Sequence, residues 1–586
     1  MKFISVLSLF ALICCDVTLA QGSPNIILFY SDDHGHADLG AYGAVKDIKT
    51  PHLDALARSG VIATNGYSTA PQCVPSRGGL MTGKFQGRFN LDNNGSTLEG
   101  FNKETTIATR LQKAGYVTAQ FGKWHLGPTA EITRHGFKHV FSQNAQRPFS
   151  ANIALDGKDM PMKDLPPTLY HIDGCSQAAA SVIERYKDQP FFLYVAYRAP
   201  HTPLDAPKKY SDRFPGEMPE RRRQALAMIS AMDDGVGLIT ETLKKHDLTK
   251  RTLIFFIGDN GAPLKIHKMD LPLNGDAGGW DGSLNTPLNG EKGMLSEGGM
   301  STPFVVAWPG TIPSGQTYDH PVTALDVAAT AAALAKVQIN QGDLDGVNLI
   351  PHLNGETKSP PHDSLYWRWT AQSTIRESNW KLLRGGDREY LYDLSIDREE
   401  KNNLAAKHPD IANRLRGKLK TWADSLNPPG LALSPMAPTW NTYFDHYLEG
   451  KTIPIPSAKD LKTKNSSEET HGWQARNGIL VSKDGIMELQ SEKGKAPFIT
   501  HSLLTLKSPA IIKVTLKNAT GGQAAIAWRV QGDKDFLPDN RATFAVNASD
   551  DWQTQEIKLQ ATATIIHVRI HLPNGVTQLE PIQLNP

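Results

Sequence analysis

The sequence predicts an α/β protein whose main domain is a large, mixed but mostly parallel sheet with helices on both faces. Three observations predict it. Short runs of β-branched and aromatic residues alternate with longer helical stretches from about residue 24 to residue 335. These runs are apolar throughout, as in strands that are buried on both faces. The chain of 586 residues is also too long for one compact core, so two or more domains are expected.

Predicted strands and helices alternate along this main domain. Strands are expected at the uninterrupted apolar runs, residues 25–30, 116–121, 191–196, 252–257 and 303–308. Helices are expected over the longer stretches, at residues 50–58, 107–114, 175–186, 222–245 and 326–337. Helices that alternate with strands in this way cover both faces of a parallel sheet.

The organisation of the whole chain follows from changes in pattern. The main α/β domain is expected to span residues 21–361, and a small antiparallel α+β subdomain residues 362–426. Residues 427–470 are rich in Pro, Lys and Ser with weak periodicity, which predicts a linker. Short alternating strands recur over residues 471–586 and predict an accessory β-sandwich domain.

The first twenty residues have the pattern of a signal peptide, with a buried helix as the alternative. Lys2 supplies the positive start, residues 3–15 are apolar, and residues 18–20 offer a small-residue cleavage site. The protein is therefore expected to be periplasmic or secreted. No other apolar stretch approaches the roughly 18 residues that span a bilayer, so no membrane partner is expected.

The net charge bears on possible partners, and the cysteine content bears on how the fold is stabilised. The net charge of +2 gives no global attraction to nucleic acid, so no nucleic-acid partner is expected either. Beyond the predicted signal peptide only Cys73 and Cys175 remain, so disulfide bonds do not hold the fold together. Cys175 lies in a small-residue segment at the start of a predicted helix and is interpreted as a small buried side chain.

Polar clusters follow four of the predicted strands. In open α/β sheets, functional groups gather beyond the carboxyl ends of the strands, so these clusters are expected to converge on one site. The side chains concerned are Asp32, Asp33, Lys123, His125, His201, Asp259 and Asn260.

Two of the clusters together form an all-oxygen set of metal ligands. Asp32 and Asp33 follow one strand, and Asp259 and Asn260 follow another. Hard divalent cations prefer such oxygen donors, which predicts one ion, Ca²⁺ in preference to Mg²⁺. For the Asp-Asp pair alone, a turn stabilised by its own side chains is the alternative.

The most informative segment is Cys73-Val-Pro-Ser-Arg77, within residues 71–83. It resembles the signature of type I (formylglycine-dependent) sulfatases of the alkaline-phosphatase-like superfamily. Other matching segments follow in family order, and the resemblance covers about residues 24–425. The matching segments are Gly-Lys-Trp-His-Leu-Gly at 122–127, Arg-Ala-Pro-His at 198–201, Gly-Asp-Asn-Gly at 258–261 and Asn-Gly-Glu-Lys-Gly at 289–293.

The resemblance implies a set of cofactors and a maturation partner. Cys73 would be oxidised to formylglycine by a formylglycine-generating enzyme or an anaerobic sulfatase-maturating enzyme. The hydrated aldehyde would be the nucleophile and would also join the metal ligands. Arg77 would hold this group and the metal. In the segment that carries Lys292, Asn289 stands where the family frequently has arginine.

The resemblance also implies roles for four further side chains. Lys123 and Lys292 would hold the sulfate oxygens. His201 would protonate the leaving alcohol, and His125 would take the proton that lets the covalent sulfate intermediate collapse.

The implied function is hydrolysis of sulfate esters on a sulfated oligo- or polysaccharide. The chain looks most like bacterial carbohydrate sulfatases that act on marine algal polysaccharides such as ulvan, carrageenan or fucan. A phosphomonoester or phosphonate ester hydrolase of the same superfamily and a non-catalytic polysaccharide-binding protein are the alternatives. The expected substrate rim comprises Lys208, Lys209, Arg221, Arg222, Arg223, His267, Lys268 and Trp280.

Overall fold

The chain forms two compact units. Among the described residues, the first unit ends at residue 452 and the second begins at residue 470. The predicted signal peptide, residues 1–20, lies outside the residues that the structure describes. The computed structural model describes residues 22–143, 149–154, 159–165, 170–264, 266, 282–431, 436, 438–452, 470, 472–483, 485–492, 496–501, 504, 506–531, 533 and 536–585.

The first unit begins with the alternating elements that the sequence predicts. In chain order they are β1 (Asn25–Asp32), α1 (Pro51–Arg58), β2 (Val61–Ala63), β3 (Gly66–Tyr67), α2 (Cys73–Thr82), α3 (Ile107–Lys113), β4 (Val117–Gly122), β5 (His139–Ser142), β6 (Ser150–Ile153), β7 (Asp159–Asp164), α4 (His171–Tyr186), β8 (Phe191–Pro200), α5 (Lys208–Ser211), α6 (Glu220–Lys245), β9 (Thr252–Gly258), α7 (Glu297–Met300), β10 (Phe304–Ala307), β11 (Gln316–Tyr318), β12 (Val322–Thr323), α8 (Asp326–Leu334) and α9 (Ile350–Leu353).

One large sheet organises this unit, in the order β11-β2-β10-β9-β1-β8-β4-β5-β6-β7. Its central strands β9, β1, β8, β4 and β5 are parallel, whereas β10, β6 and β7 run antiparallel to their neighbours. The short β12 and β3 pair separately. The mixed, mostly parallel sheet predicted from the sequence is therefore confirmed.

Both faces of the sheet are buried, which explains why its central strands are uninterruptedly apolar. In β1, Ile27 and Phe29 point into one apolar cluster with α4 and α6. Ile26 and Leu28 point into another cluster with α2, α3 and α8. Successive side chains of a strand alternate between faces, so a strand covered on both sides is apolar at every position.

A small antiparallel sheet with two helices completes the first unit. The sheet order is β13-β14-β15-β16. The elements are β13 (Leu365–Trp369), β14 (Gln372–Glu377), β15 (Trp380–Gly385), β16 (Arg388–Asp393), α10 (Pro409–Ala423) and α11 (Pro438–Tyr447).

Helix α11 corrects the predicted linker over residues 427–470, which is wrong for residues 438–447. Trp440, Tyr443 and Phe444 of this helix pack in the same apolar cluster as Trp369 of the small sheet. With Tyr447 they follow the i, i+3, i+4, i+7 spacing of a helix face. The surrounding Pro, Lys and Ser residues concealed this short aromatic pattern.

The second unit consists of two antiparallel sheets that share one core, as the predicted β-sandwich requires. The sheet orders are β17-β20-β25-β22-β23 and β18-β19-β26-β21-β24, with β27 beside β21. Inward residues of both sheets form a single apolar cluster. The strands are β17 (Gln474–Arg476), β18 (Gly478–Lys483), β19 (Ile486–Ser491), β20 (Phe498–His501), β21 (Ala510–Asn518), β22 (Gly522–Val530), β23 (Arg541–Val546), β24 (Ser549–Leu559), β25 (Ile565–His571), β26 (Val576–Leu579) and β27 (Gln583–Asn585). Across the described part of the chain, no helix has the length and apolar character needed to cross a bilayer.

Candidate active site

The candidate site lies at the carboxyl ends of the central parallel strands. Strand β1 ends at Asp32, and the Asp259 amide after β9 donates to the Ser31 carbonyl at 3.0 Å. Asp33 leaves the strand in the left-handed region, with φ of 57°, which aspartate tolerates better than most residues. On the other side of β1, the parallel strand β8 carries the chain to His201.

The predicted metal ligands come together in the buried floor of this site. The Asp33 amide donates to Asp259 Oδ1 at 2.9 Å, and Asn260 Nδ2 donates to Asp33 Oδ1 at 2.6 Å. Burial, followed by repulsion from Asp32, raises the pKa of Asp259 to about 7. Such repulsion between neighbouring carboxylates is what a bound divalent cation offsets.

One orphaned atom supports the fit of a cation to this floor. Asn260 Oδ1 is buried without a hydrogen-bond partner among the described residues, although the Nδ2 atom of the same side chain is used twice. The possible ligand atoms of Asp32, Asp33, Cys73 and His201 also lie within 4.8 Å of one another. Carboxylate and amide oxygens of this kind suit Ca²⁺ or Mg²⁺.

Two lysines pair with the two carboxylates at the end of β1. Lys123 Nζ lies 2.5 Å from Asp32 Oδ2, and Lys292 Nζ lies 2.6 Å and 2.7 Å from the Asp33 oxygens. Burial opposes ionisation of both carboxyls, but the nearby cations outweigh it. They hold the pKa of Asp32 well below its usual value and also lower the pKa of Asp33.

Arg77 supplies a third cation beneath the site. Its guanidinium is fully buried and lies 2.8 Å from Asp259 Oδ2 and 3.3 Å from Asp32 Oδ1. It also donates to the Tyr194 hydroxyl at 3.1 Å and lies over the Tyr30 ring. Three cations therefore face the three carboxylates of the site.

Cys73 begins helix α2, and its thiol lies between a lysine and a carboxylate. Lys292 Nζ is 3.3 Å from Sγ, and Asp32 Oδ1 is 3.5 Å from it. Burial raises the pKa of the Cys73 thiol. An unmodified Cys73 would therefore be a neutral thiol and a weak nucleophile.

The two glycines of the Cys73 segment let α2 pack closely enough to place residue 73 here. A Cβ on Gly78 would lie 2.2 Å from a Leu91 methyl carbon, and one on Gly79 would lie 2.4 Å from Thr69 Oγ1. Helix α2 is buried along its whole length as a result.

The two predicted histidines differ in their surroundings. His201 Nε2 lies 3.5 Å from Asp33 Oδ2, and Nδ1 lies 2.5 Å from the Thr202 carbonyl. The pKa of His201 is lowered to about 4, chiefly by burial. Burial, Lys123 and Arg77 lower the pKa of His125 to about 3.

His125 is placed as a free base. Its backbone adopts a φ of 60°, and its Nδ1 atom is buried with no hydrogen-bond partner among the described residues. A neutral imidazole with an unused ring nitrogen can accept a proton. All predicted site residues thus lie in or beside one buried cluster.

The predicted substrate rim is wrong for two arginines. Arg221 and Arg222 are 2% and 3% exposed, and Arg222 pairs with Asp38 and Asp47. These side chains stabilise the interior rather than face a ligand. Arg223 pairs with Glu220.

The other rim candidates lie on the surface or outside the described chain. Lys208 and Lys209 are largely exposed and pair with Asp212 and Asp173. The predictions for His267, Lys268 and Trp280 fall outside the described residues.

Sequence reasoning missed residues that support the site side chains, namely those that contact Arg77 and the segment beside Lys292. Tyr194 lies inside the apolar run of β8, and only its pairing opposite Leu28 of β1 reveals that its hydroxyl meets Arg77. Glu291 and Tyr447 also escaped notice, although they contact each other at 2.9 Å beside Lys292. No local sequence signal shows that the two members of either pair meet.

Comparison with known proteins defines the class of protein. The sulfatase family model matches residues 24–337, and the model for the C-terminal region of N-sulphoglucosamine sulphohydrolase matches residues 290–425. The chain belongs to the sulfatase family. It is accordingly a sulfuric ester hydrolase, as the resemblance implied.

Several named relatives are similar over most of their length. An uncharacterized sulfatase of Escherichia coli, YdeN, is 29% identical over 70% of this chain and 87% of the relative. Human N-acetylgalactosamine-6-sulfatase is 31% identical over 63% of this chain and 74% of the relative. The crystal structure of Ps i-CgsB in complex with k-i-k-neocarrahexaose has a TM-score of 0.61 at 29% identity, covering 72% of this chain and 97% of that one.

Proposed function

We propose that this sulfatase removes sulfate from a sulfated oligo- or polysaccharide, using formylglycine at position 73 and one Ca²⁺ or Mg²⁺ ion. One observation carries the proposal. Cys73 Sγ lies 3.5 Å from Asp32 Oδ1, 3.9 Å from Asp33 Oδ1 and 3.3 Å from Lys292 Nζ. That position brings residue 73 next to both the carboxylate cluster and a sulfate-binding cation.

Oxidation of residue 73 gives the site the nucleophile that the buried thiol cannot supply. As its hydrate, formylglycine provides an oxygen that attacks the sulfur of the ester. Asp32, Asp33, Asp259 and Asn260 would hold the cation, which supplies Lewis-acid stabilisation of charge on oxygen when bound. The unpaired Asn260 Oδ1 atom supports this assignment.

The three cations would stabilise negative charge as it develops on the sulfuryl oxygens. Lys123, Lys292 and Arg77 are held in place by the carboxylates before substrate arrives. Donors that are fixed in a buried site stabilise a transition state without reorganising. Lys292, which already lies 3.3 Å from Cys73 Sγ, is the lysine assigned to the oxygens nearest residue 73.

The two histidines would move the protons. His201 would protonate the leaving alcohol at Nε2. In the free site its ring is mainly neutral at pH 7, and an anionic ester beside it favours the protonated form. His125 would accept a proton at its unpaired Nδ1 from the second hydroxyl of residue 73. The bond from the carbon of residue 73 to the sulfate oxygen would then break, which reforms the aldehyde and releases sulfate.

A sulfated carbohydrate is the substrate class that the comparisons favour. Human N-acetylgalactosamine-6-sulfatase and the Bacteroides thetaiotaomicron N-acetylgalactosamine-6-O-sulfatase are relatives at 31% and 27% identity. The similar structure Ps i-CgsB holds k-i-k-neocarrahexaose. We propose an algal polysaccharide of the carrageenan, ulvan or fucan type, reached by export to the periplasm or medium.

The proposal requires a maturation partner, which makes it testable in two preparations. The full chain is expressed with and without a formylglycine-generating enzyme, and residue 73 is assigned by peptide mass. Sulfate release from nitrophenyl sulfate and sulfated oligosaccharides should follow the aldehyde fraction and disappear in Cys73→Ala. The matched variant Cys175→Ala, which alters the other buried cysteine, should retain activity.

Two outcomes would contradict the proposal. Full sulfate release by a protein whose residue 73 is an unmodified cysteine would exclude the formylglycine nucleophile. Faster turnover of nitrophenyl phosphate or a phosphonate ester than of the sulfate would favour the related phosphoester chemistry.

A further inference from the structure

The segment that carries Lys292 is clamped by helix α11, which lies beyond the residues that the family models match. Those matches end at residue 425, whereas α11 spans Pro438–Tyr447. Three contacts join the helix to residues on both sides of Lys292. The α11 side of each contact therefore lies outside the residues that the family models match.

On the amino-terminal side of Lys292, the end of α11 binds two residues. The Tyr447 hydroxyl donates to Glu291 Oε1 at 2.9 Å, and Asn289 Nδ2 donates to the Tyr447 carbonyl at 2.6 Å. Glu291 is fully buried, and its Oε2 accepts the Leu264 amide. Tyr447 thus contacts residues one and three positions before the lysine.

Asn289 is the residue that departs from the frequent arginine of the family. Its side chain donates to the Tyr447 carbonyl at the end of α11, and its own carbonyl accepts the Gly298 amide at 2.7 Å. Free carbonyls at a helix end require such donors. The departure from the family pattern therefore coincides with the contact that only a chain with α11 can make.

On the carboxyl-terminal side, an aromatic ring seats the backbone. A Cβ on Gly293 would lie 2.5 Å from the Trp440 ring, so the indole rests directly against the glycine. Gly293 has a φ of 89° and donates to the Pro71 carbonyl at 2.9 Å, two residues before Cys73. Trp440 is itself fixed by an edge-on contact with Trp369, with ring centroids 4.7 Å apart.

We infer that α11 positions Lys292 for catalysis, with Tyr447 and Trp440 as positioning residues. A lysine side chain is long and flexible, so its placement depends on a fixed backbone and fixed partners. Lys292 Nζ must lie within hydrogen-bond distance of Asp33 and of residue 73 at the same time. Clamping residues 291 and 293 from one helix limits the movement of the lysine between them. This inference rests on the role proposed for Lys292.

A double-mutant cycle tests whether Tyr447 acts through Lys292. Formylglycine-bearing full-length protein is compared with Tyr447→Phe, Lys292→Ala and the double variant, using kcat/KM for nitrophenyl sulfate. We expect about a tenfold loss in Tyr447→Phe, because misplacing a reacting group by 1 Å costs up to about a hundredfold. Lys292→Ala should lose about a hundredfold or more. In the Lys292→Ala background, Tyr447→Phe should cost nothing further.

Matched variants separate positioning from loss of folding. Tyr116→Phe removes a buried hydroxyl that donates to the Pro24 carbonyl at 3.0 Å, at the opposite ends of the strands, and should keep full activity. Trp440→Ala should lose activity as Tyr447→Phe does, and Trp440→Phe should recover part of it. If Tyr447→Phe lowers the thermal midpoint substantially, the double-mutant cycle with Lys292→Ala is repeated with Trp440→Ala and Trp440→Phe in place of Tyr447→Phe.

The outcomes distinguish this inference from the proposed function. If Lys292→Ala keeps wild-type kcat/KM, the role of Lys292 fails and the inference fails with it. If Lys292→Ala is slow but Tyr447→Phe costs nothing, or costs the same factor in both backgrounds, the clamp is overturned and the proposed function stands.

Discussion

Asn260→Asp gives a sharp test of the proposed cation site. The substitution keeps the size of the side chain but replaces Nδ2, which donates to Asp33 Oδ1 at 2.6 Å and to the Gly261 carbonyl at 2.9 Å. A carboxylate oxygen in that position faces two acceptors. The side chain is fully buried, so solvent does not screen the repulsion.

The geometry sets the size of the effect. Two unit charges 2.6 Å apart repel by about 6 kcal/mol at an effective dielectric constant of about 20, which is a ceiling because the pair can relax or take up a proton. Loss of a hydrogen bond to a charged partner alone costs about 1.5–3 kcal/mol. We expect at least about 2 kcal/mol of destabilisation in chelator, which corresponds to a fall of about 2 °C in thermal midpoint for a unit of this size.

Calorimetry with added Ca²⁺ or Mg²⁺ provides the assay. A cation at one hundred times its dissociation constant stabilises the native state by about 2.7 kcal/mol. Because the variant places another carboxylate against the ion, its midpoint should rise more steeply with Ca²⁺ than that of the natural chain. If neither protein responds to Ca²⁺ or Mg²⁺, or if Asn260→Asp is as stable as the natural chain in chelator, the reasoning is refuted.

Two further predictions concern catalysis and pH. Lys123→Ala should lower kcat/KM for nitrophenyl sulfate about a hundredfold. Lys84→Ala, which breaks a partly buried 2.7 Å pair with Glu104, should leave kcat/KM unchanged. Equal effects of the two substitutions would contradict the role proposed for Lys123. Burial alone would lower the pKa of His362, but Asp326 at 2.9 Å outweighs it and raises that pKa. The pair therefore stabilises the fold fully below about pH 6.5 and less as pH rises through the folded value. Denaturant titrations should show this decline, and His362→Gln should remove it; an unchanged slope would exclude the pair as its source.

The prediction of the fold succeeded where burial leaves a local pattern. The apolar runs that became β1, β4, β8 and β9 are fully buried strands, and their order along the chain fits a parallel sheet. The aromatic spacing of α11 was equally local but only three turns long. It went unrecognised because propensity in a Pro- and Lys-rich region pointed to irregular structure.

The candidate site was predicted to a similar extent. Residue types at strand ends identified the carboxylates and Lys123, because a strand end and a polar cluster are both visible in a short window. The same window misassigned Arg222, whose partner Asp47 lies 175 positions away. A run of arginines looks alike whether it faces solvent or a buried carboxylate.

The sequence by itself determined which chemical groups this sulfatase has and which strand ends carry them. Only the tertiary structure decided which group meets which: Lys292 reaches Asp33 across 259 positions, and Tyr447 reaches Glu291 across 156. Local patterns arise from the few neighbours that share a strand or helix face. Pairings between distant segments depend on the order in which strands and loops pack, and no short stretch of sequence encodes that order.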